Sequence, residues 1–145
     1  MKRQRKGGFL ISKIHQLSAR IFARMLKESG IRDINPAQGR IMFVLWQNDG
    51  IAINDLAKET SLSKSTLTSM LDRLEIAGLV RRKASKKDRR KINIWRTEKD
   101  KSLQKQYISF SKKMTDIYYN GLSEGEITQF EQMLEHIFKN LKASE

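Results

Sequence analysis

Apolar residues recur early in the chain at Leu10, Ile14, Leu17, Ile21 and Met25, with Lys13, Arg20, Arg24 and Lys27 falling elsewhere. Steps of three and four predict an amphipathic helix over 9–29. Asn35-Pro36-Ala37-Gln38 then supplies an N-cap, a proline at the first helical position and a glutamine able to reach back to the cap. The helix it opens carries Ile41, Met42, Val44, Leu45 and Trp46, which is apolar enough to be central, and Asp49-Gly50 stops it. Ile51-Ala52-Ile53 reads as a very short strand, followed by a brief helix with Asn54 as its cap and Leu56 and Ala57 on its apolar side, ending near Thr60. A turn at Ser61-Leu62-Ser63 leads to a third helix capped by Ser63 and running through Leu67, Met70, Leu71 and Leu74 to Ala77. Two short helices joined by a tight turn are a helix-turn-helix arrangement.

Gly78 stands where a helix needs a left-handed residue to end, and Leu79-Val80 begins a strand. A second strand spans Ile92 to Arg96, with the loop Ala84 to Arg89 between the two. Thr97 caps the next helix, with Asp100 as its capping-box-like partner, and Leu103, Tyr107, Phe110, Met114 and Ile117 form its stripe. Ser123-Glu124-Gly125-Glu126 opens the last helix, whose stripe is Ile127, Phe130, Leu134, Ile137 and Leu141. The expected fold is mainly α: a winged helix-turn-helix unit over 35–97, with three helices and a two- to three-stranded wing. Terminal helices at 8–30 and 98–143 flank it within one domain, 1–145. Three terminal helices cannot all pack on so small a core, so the apolar faces of the first and last predict a homodimer, with an intramolecular helical bundle as the alternative.

Charge changes the picture from fold to function. Between Arg81 and Lys91 stand eight Lys or Arg residues against the single carboxylate of Asp88. Such density repels itself unless a polyanion is present, and nucleic acid releases counterions as each cation meets a phosphate. The formal net charge of +13 over 145 residues agrees. The third helix presents hydroxyls at Ser65, Thr66, Thr68 and Ser69 that can reach bases or phosphates, and Lys64 lies at its start, where the dipole favours phosphate. Arg73 is expected to pair with Asp88 or Asp72, with a phosphate contact as the alternative. Arg90 suits a narrow minor groove, and Lys86 and Lys87 the flanking phosphates.

Other chemistry is excluded or weak. Zero cysteines rule out disulfides, thiolate metal sites and cysteine redox sensing, and two isolated histidines, His15 and His136, do not make a metal site. Neither a metal nor a cofactor is expected. No nucleophile, base and acid set or phosphate loop appears, so the chain does not read as an enzyme. No apolar run is long enough to span a bilayer, and the basic start followed by Phe9-Leu10-Ile11 lacks a cleavage site, so a cytoplasmic protein without membrane association is expected. RNA is disfavoured for want of an exposed aromatic on the basic face.

Asn35 to Gln38 with Ile41, Met42 and Leu45, the segment Ile53 to Ala57, Ser65 to Thr68 with Asp72 to Glu75, Gly78 to Val80, and Asp88-Arg89-Arg90 with Thr97 to Lys99 together resemble the MarR family of transcription regulators. Gly121-Leu122-Ser123 with Glu126 is similar as well, so the likeness covers nearly the whole chain. It implies a homodimer that binds a pseudo-palindromic double-stranded operator, commonly as a repressor released by a small aromatic or phenolic effector. The alternative is an architectural or nonspecific winged-helix protein without ligand sensing. The DNA-binding residues implied are Ser63, Lys64, Ser65, Thr66, Thr68, Ser69, Arg73, Lys86, Lys87, Arg89 and Arg90, with Asp88 positioning the wing. By analogy with the family an effector would lie near His15, Arg40, Trp46 and Tyr107. Gly39, inside a helix, is read as a point of close approach rather than room for a ligand. Arg96 stands where the family pattern has leucine, Asp100 where it has glycine, and Ser69 where arginine is frequent.

Overall fold

The computed structural model describes residues 3–31 and 34–145; the first two residues of the basic start, Met1 and Lys2, lie outside them. The chain forms two compact units, Met1–Phe110 and Ser111–Glu145.

In the first unit α1 (Gly7–Glu28) precedes α2 (Pro36–Gln47), β1 (Ile51–Ala52), α3 (Ile53–Thr60), α4 (Lys64–Ile76), β2 (Val80–Ala84) and β3 (Ile92–Arg96). The predicted capping box opens α2: the Asn35 side chain accepts from Gln38 N at 2.8 Å, and Gln38 Oε1 accepts from Asn35 N at 3.1 Å. Asn54 does not cap α3. Pairing of Ile51 and Ala52 with Ile94 and Asn93 holds the chain extended up to Ala52, so the helix starts directly at Ile53. Ser61 makes the turn with φ of 57°, a left-handed conformation that costs a non-glycine residue on the order of 1 kcal/mol. Ser63 caps α4 as expected, its hydroxyl accepting from Thr66 N. Gly78, at φ 78°, ends the helix, and Leu79 N donates back to Leu74 O at 2.9 Å, which keeps Leu79 out of the strand.

The sheet has the order β1-β3-β2, all antiparallel, with Val80 opposite Arg96 and Arg82 opposite Ile94. Its inner face joins Leu56, Leu67, Leu71 and Leu74 from α3 and α4 over Ile41, Met42 and Leu45 of α2 to make the core. Only the last turns of α1 reach this core: Leu26 is buried and Phe22 packs against it, whereas Leu10, Ile14 and Leu17 are exposed. Gly39 is a close approach, since a Cβ there would overlap the hydroxyl of Tyr107.

α5 (Glu98–Tyr118) begins in this unit and runs into the second, which holds α6 (Glu124–Ala143). The Ser123–Glu126 capping box of α6 forms as expected, and Tyr119 packs edge-on against Phe130 at 6.2 Å. Ile137, Phe138 and Leu141 of α6 remain exposed, as do Ile117 and Tyr118 of α5. Among the described residues no helix is long and apolar enough to cross a membrane.

Where β3 meets α5, Thr97 caps the helix by accepting from Asp100 N at 3.2 Å, but Asp100 does not return the bond. Its side chain is fully buried and turned to other partners: Oδ1 accepts from Trp46 Nε1 at 3.0 Å and Oδ2 from Arg96 Nε at 2.6 Å. Arg96 also donates to Gln104, and its backbone N–H to Asp49 Oδ1 at 2.8 Å. The two departures from the family pattern are therefore one interaction. Removing a single partner of a buried ion pair strands the other charge, so Arg96→Leu is expected to cost about 3–5 kcal/mol in urea denaturation. Arg96→Leu combined with Asp100→Gly should cost clearly less; a double variant no more stable than the single one would refute this coupling.

Candidate nucleic-acid interface

α4 divides cleanly into two faces. Leu67, Leu71 and Leu74 are buried, and Lys64, Ser65, Thr66, Thr68, Ser69 and Arg73 are exposed. The hydroxyls differ in what they have left to offer. Ser63 Oγ donates to Thr66 Oγ1 at 2.9 Å, so these two are engaged with each other at the cap. Thr68 and Ser69, a turn further on, hold no hydrogen bond through their hydroxyls among the described residues and face solvent.

Arg82 leaves the set of wing cations. Strand alternation sends it to the inner side with Val80, where its guanidinium pairs with Asp72 and stands 3.9 Å from Glu75. Its backbone N–H also donates to Glu75 Oε2 at 3.3 Å. This does two things at once. β2 is tied to α4, and the two carboxylates on that helix, which would repel a polyanion, are neutralised. Arg73 is thereby corrected: Asp72 is taken by Arg82 and Asp88 by Arg90, and Arg73 stands exposed without either. The period of two from Val80 to Arg82, read against acids three apart on α4, is the signal that would have found the clamp.

The loop between β2 and β3 closes around Asp88. Its carboxylate accepts from Arg90 N at 3.0 Å and Arg90 Nε at 3.3 Å, while its carbonyl accepts from Lys91 N at 3.0 Å. An aspartate bonding the backbone two residues on makes a tight turn without the ladder of a sheet. Ser85 N donates to Lys91 O at 2.8 Å and shuts the base of the loop. Arg90 is held in this turn with its side chain 92 % exposed, and Lys86, Lys87 and Arg89 project into solvent around it. Among the described residues none of Arg81, Lys83, Lys86, Lys87, Arg89 or Lys91 reaches a carboxylate.

Residues 34–92, from the start of α2 through the wing loop, match the model of the MarR family. Over those residues, about two fifths of the chain, it is similar to the MarR family. It is 35% identical over 63 residues to the HTH-type transcriptional regulator TtmR of Methylorubrum extorquens, a stretch covering 43% of this chain and 32% of that protein. The chain thus spans about a third of that relative's length. Two solved structures share its fold. A MarR protein from Peptoclostridium difficile superposes with a TM-score of 0.86 at 20% identity, covering 99% of this chain and 92% of the other. FabT of Streptococcus pneumoniae, solved in complex with DNA, gives a TM-score of 0.79 at 23% identity, covering 97% and 98%.

The four residues expected at an effector site do not assemble as a set. Trp46 and Tyr107 meet edge-on with ring centroids 5.0 Å apart, and Phe22 meets Tyr107 at 5.3 Å. Burial pushes the Tyr107 hydroxyl up to about 12, so it stays protonated. Arg40 is turned away, donating to Thr60 O at 3.2 Å, and His15 lies exposed on α1. Clefts of about 830, 660 and 610 Å³ open on the wing and beside the end of α4, and none is lined by these four residues.

A hydrogen bond of the Asp88–Arg90 kind contributes about 1 kcal/mol net, or roughly fivefold in an opening equilibrium. Asp88→Ala should therefore speed amide exchange at Arg90 about fivefold, and Asp88→Asn, which keeps an acceptor, should speed it less. Equal rates in the wild type and Asp88→Ala would take Asp88 out of the wing turn.

Proposed function

We propose that the chain is a homodimeric, sequence-specific double-stranded-DNA-binding transcription regulator. In this reading it is a repressor that leaves a pseudo-palindromic operator when a small aromatic or phenolic effector binds. The observation that carries it is the joining of two complementary surfaces in one unit. An exposed hydroxyl face on α4 suits base edges, and Arg82 ties that helix to a wing whose remaining cations meet no carboxylate. The likeness of residues 34–92 to the MarR family supports it, as do a relative named as a transcriptional regulator and a neighbour crystallised with DNA.

Ser65, Thr68 and Ser69 would read the major groove, with Lys64 and the start of α4 on a phosphate. Ser63 and Thr66 would act mainly by fixing the start of that helix, and Arg73 is free to take a phosphate. Arg90 would enter the minor groove with Lys86, Lys87 and Arg89 on the phosphates beside it, and Asp88 would hold the turn that aims them. A twofold assembly would place two such units about 34 Å apart, or one turn of duplex. The exposed apolar stripes of α1 and α6 support that assembly, because residues such as Leu10, Ile14, Leu17, Ile137 and Leu141 otherwise face water. The effector would sit by Trp46 and Tyr107, with His15 brought in from α1; Arg40 would first have to release Thr60.

Selection of bound genomic fragments by the purified protein should return a short palindrome, and a smear without a shared motif would overturn the regulator reading. On that operator Arg90→Ala is expected to weaken binding by about 1–3 kcal/mol and to relax preference where the wing inserts. Lys86→Ala should weaken all sequences alike and reduce the salt slope by about 1. Affinities and slopes equal to the wild type would remove the wing from the interface. Sedimentation at micromolar concentration should give a dimer, and a monomer there would refute the proposed role of α1 and α6.

A further inference from the structure

The outer face of the wing sheet sets a half-exposed aromatic among cations. Arg81 stands opposite Trp95 and Lys83 opposite Asn93, and alternation turns these residues away from the core that Val80 and Ile94 join. Trp95 is 39% exposed. One edge of its indole rests on Gly50, where φ is 81° and a Cβ would come within 2.6 Å of the ring, so the aromatic is seated by a residue without a side chain. Among the described residues it stacks on no other ring and no cation sits over it.

Two clefts of about 830 and 660 Å³ meet at this ring, and Lys83 lines both. One runs back past Arg81 and around the edge of β2 toward Thr97, where Glu75 and Glu98 also line it, and the other runs out past Ser85 to Lys86 and Lys87. Side chains two apart on a strand stand about 6.8 Å from each other, so Arg81 and Lys83 form a spaced row that Lys86 and Lys87 extend. Single-strand recognition needs an exposed aromatic among the cations. Trp95, hidden in the apolar pattern of β3, is that aromatic.

We propose that this face binds single-stranded nucleic acid, one base stacking on Trp95 while Arg81, Lys83 and the Lys86–Lys87 pair hold the phosphates on either side. A duplex keeps its bases stacked on one another and cannot offer one to the ring, so stacking on Trp95 distinguishes this mode from the operator contacts of α4 and the wing tip, with which it shares Lys86 and Lys87. A lone aromatic anion would fill one cleft and leave the cations beyond the other unused. An acidic peptide would match the charge but has no planar group for the indole. Stacking of a base on an aromatic with cations along the backbone is the general mode of sequence-tolerant single-strand binding.

The test is a fluorescence-anisotropy titration of labelled oligothymidylate of about 15 nucleotides, run beside a labelled random-sequence duplex, with wild type, Trp95→Leu and Trp95→Phe. All three proteins carry the same charge, so the salt-dependent term is held constant. Loss of one stacked base corresponds to about 1–3 kcal/mol, or roughly 5- to 150-fold. Trp95→Leu should therefore lose at least about fivefold for the single strand and change little for the duplex, with Trp95→Phe recovering most of the loss. Oligothymidylate binding unchanged in Trp95→Leu would overturn the proposal. So would equal losses for both nucleic acids, or displacement by oligoglutamate or by free thymidine monophosphate as effective as by the unlabelled strand. Thermal unfolding followed by circular dichroism checks that each variant is folded; should Trp95→Leu fail to fold, Trp95→Thr, which favours a strand but has no ring, replaces it under the same criteria.

Discussion

A carboxylate without access to water ties together three elements of the first unit. Burying an ionised group costs several kcal/mol even after relaxation, and that cost is offset only if its oxygens find donors. Asp100 meets the condition by drawing donors from two other elements, Trp46 of α2 and Arg96 of β3. Gln104, a turn further along α5, takes a second N–H of the same guanidinium, and Asp49 fixes the backbone of Arg96 from the loop before β1. Because each partner is needed to make the burial tolerable, the base of the wing, the central helix and the start of α5 are held in one arrangement. A leucine and a glycine at positions 96 and 100 would leave the junction to packing alone. The polar version specifies direction as well as proximity.

The same economy governs the cations. A cluster of like charges is unfavourable by itself, and the wing reduces the repulsion selectively. Arg82 is withdrawn to the inner face and spent on Asp72 and Glu75, and Arg90 is partly balanced by Asp88. The rest keep their charge in solvent. This sorting lowers the local cost while leaving the outward surface positive, as the proposed partners require. It also gives Arg82 and Arg90 opposite roles although both sit in one run of basic residues.

What was legible in the sequence followed from rules that act over a few residues. The capping boxes at Asn35 and Ser123, the cap at Ser63, the left-handed Gly78 and the bounds of β3 rest on local hydrogen bonding and on periodicity, and all form as expected. Gly39 was readable as a close approach because a helical glycine needs a packing reason, though the ring that fills the space, Tyr107, lies 68 positions away in the chain. The misreadings share a cause. Asn54 as a cap, Asp72 as the partner of Arg73, and Asp100 as half of a capping box all rest on groups close together in the sequence. The β1–β3 pairing, Arg82 on the wing for Asp72, and Trp46 with Arg96 for Asp100 prevail instead, while Asp88 is taken by Arg90 two residues on. Arg40 and His15 fail to join Trp46 and Tyr107 for a related reason: the family analogy supplied the residues, and only tertiary contacts decide where their side chains go.

Trp95 shows how one strand position can carry two meanings. Aromatic residues favour strands because a pleated, half-buried surface accepts them, and from sequence alone Trp95 between Ile94 and Arg96 reads as packing. Alternation cannot say which of two adjacent apolar residues faces the core; the register does, by setting Ile94 opposite Arg82 and Trp95 opposite Arg81. Once Ile94 is inside, with no exposed surface, the indole must lie outside among the cations. Gly50 then becomes intelligible as more than the stop of α2, since its missing side chain leaves room for the ring that the register turns outward. A single shift in pairing would exchange the two residues, burying the tryptophan and removing the aromatic from the basic face. The chemistry of that face therefore depends on the same antiparallel register that builds the wing.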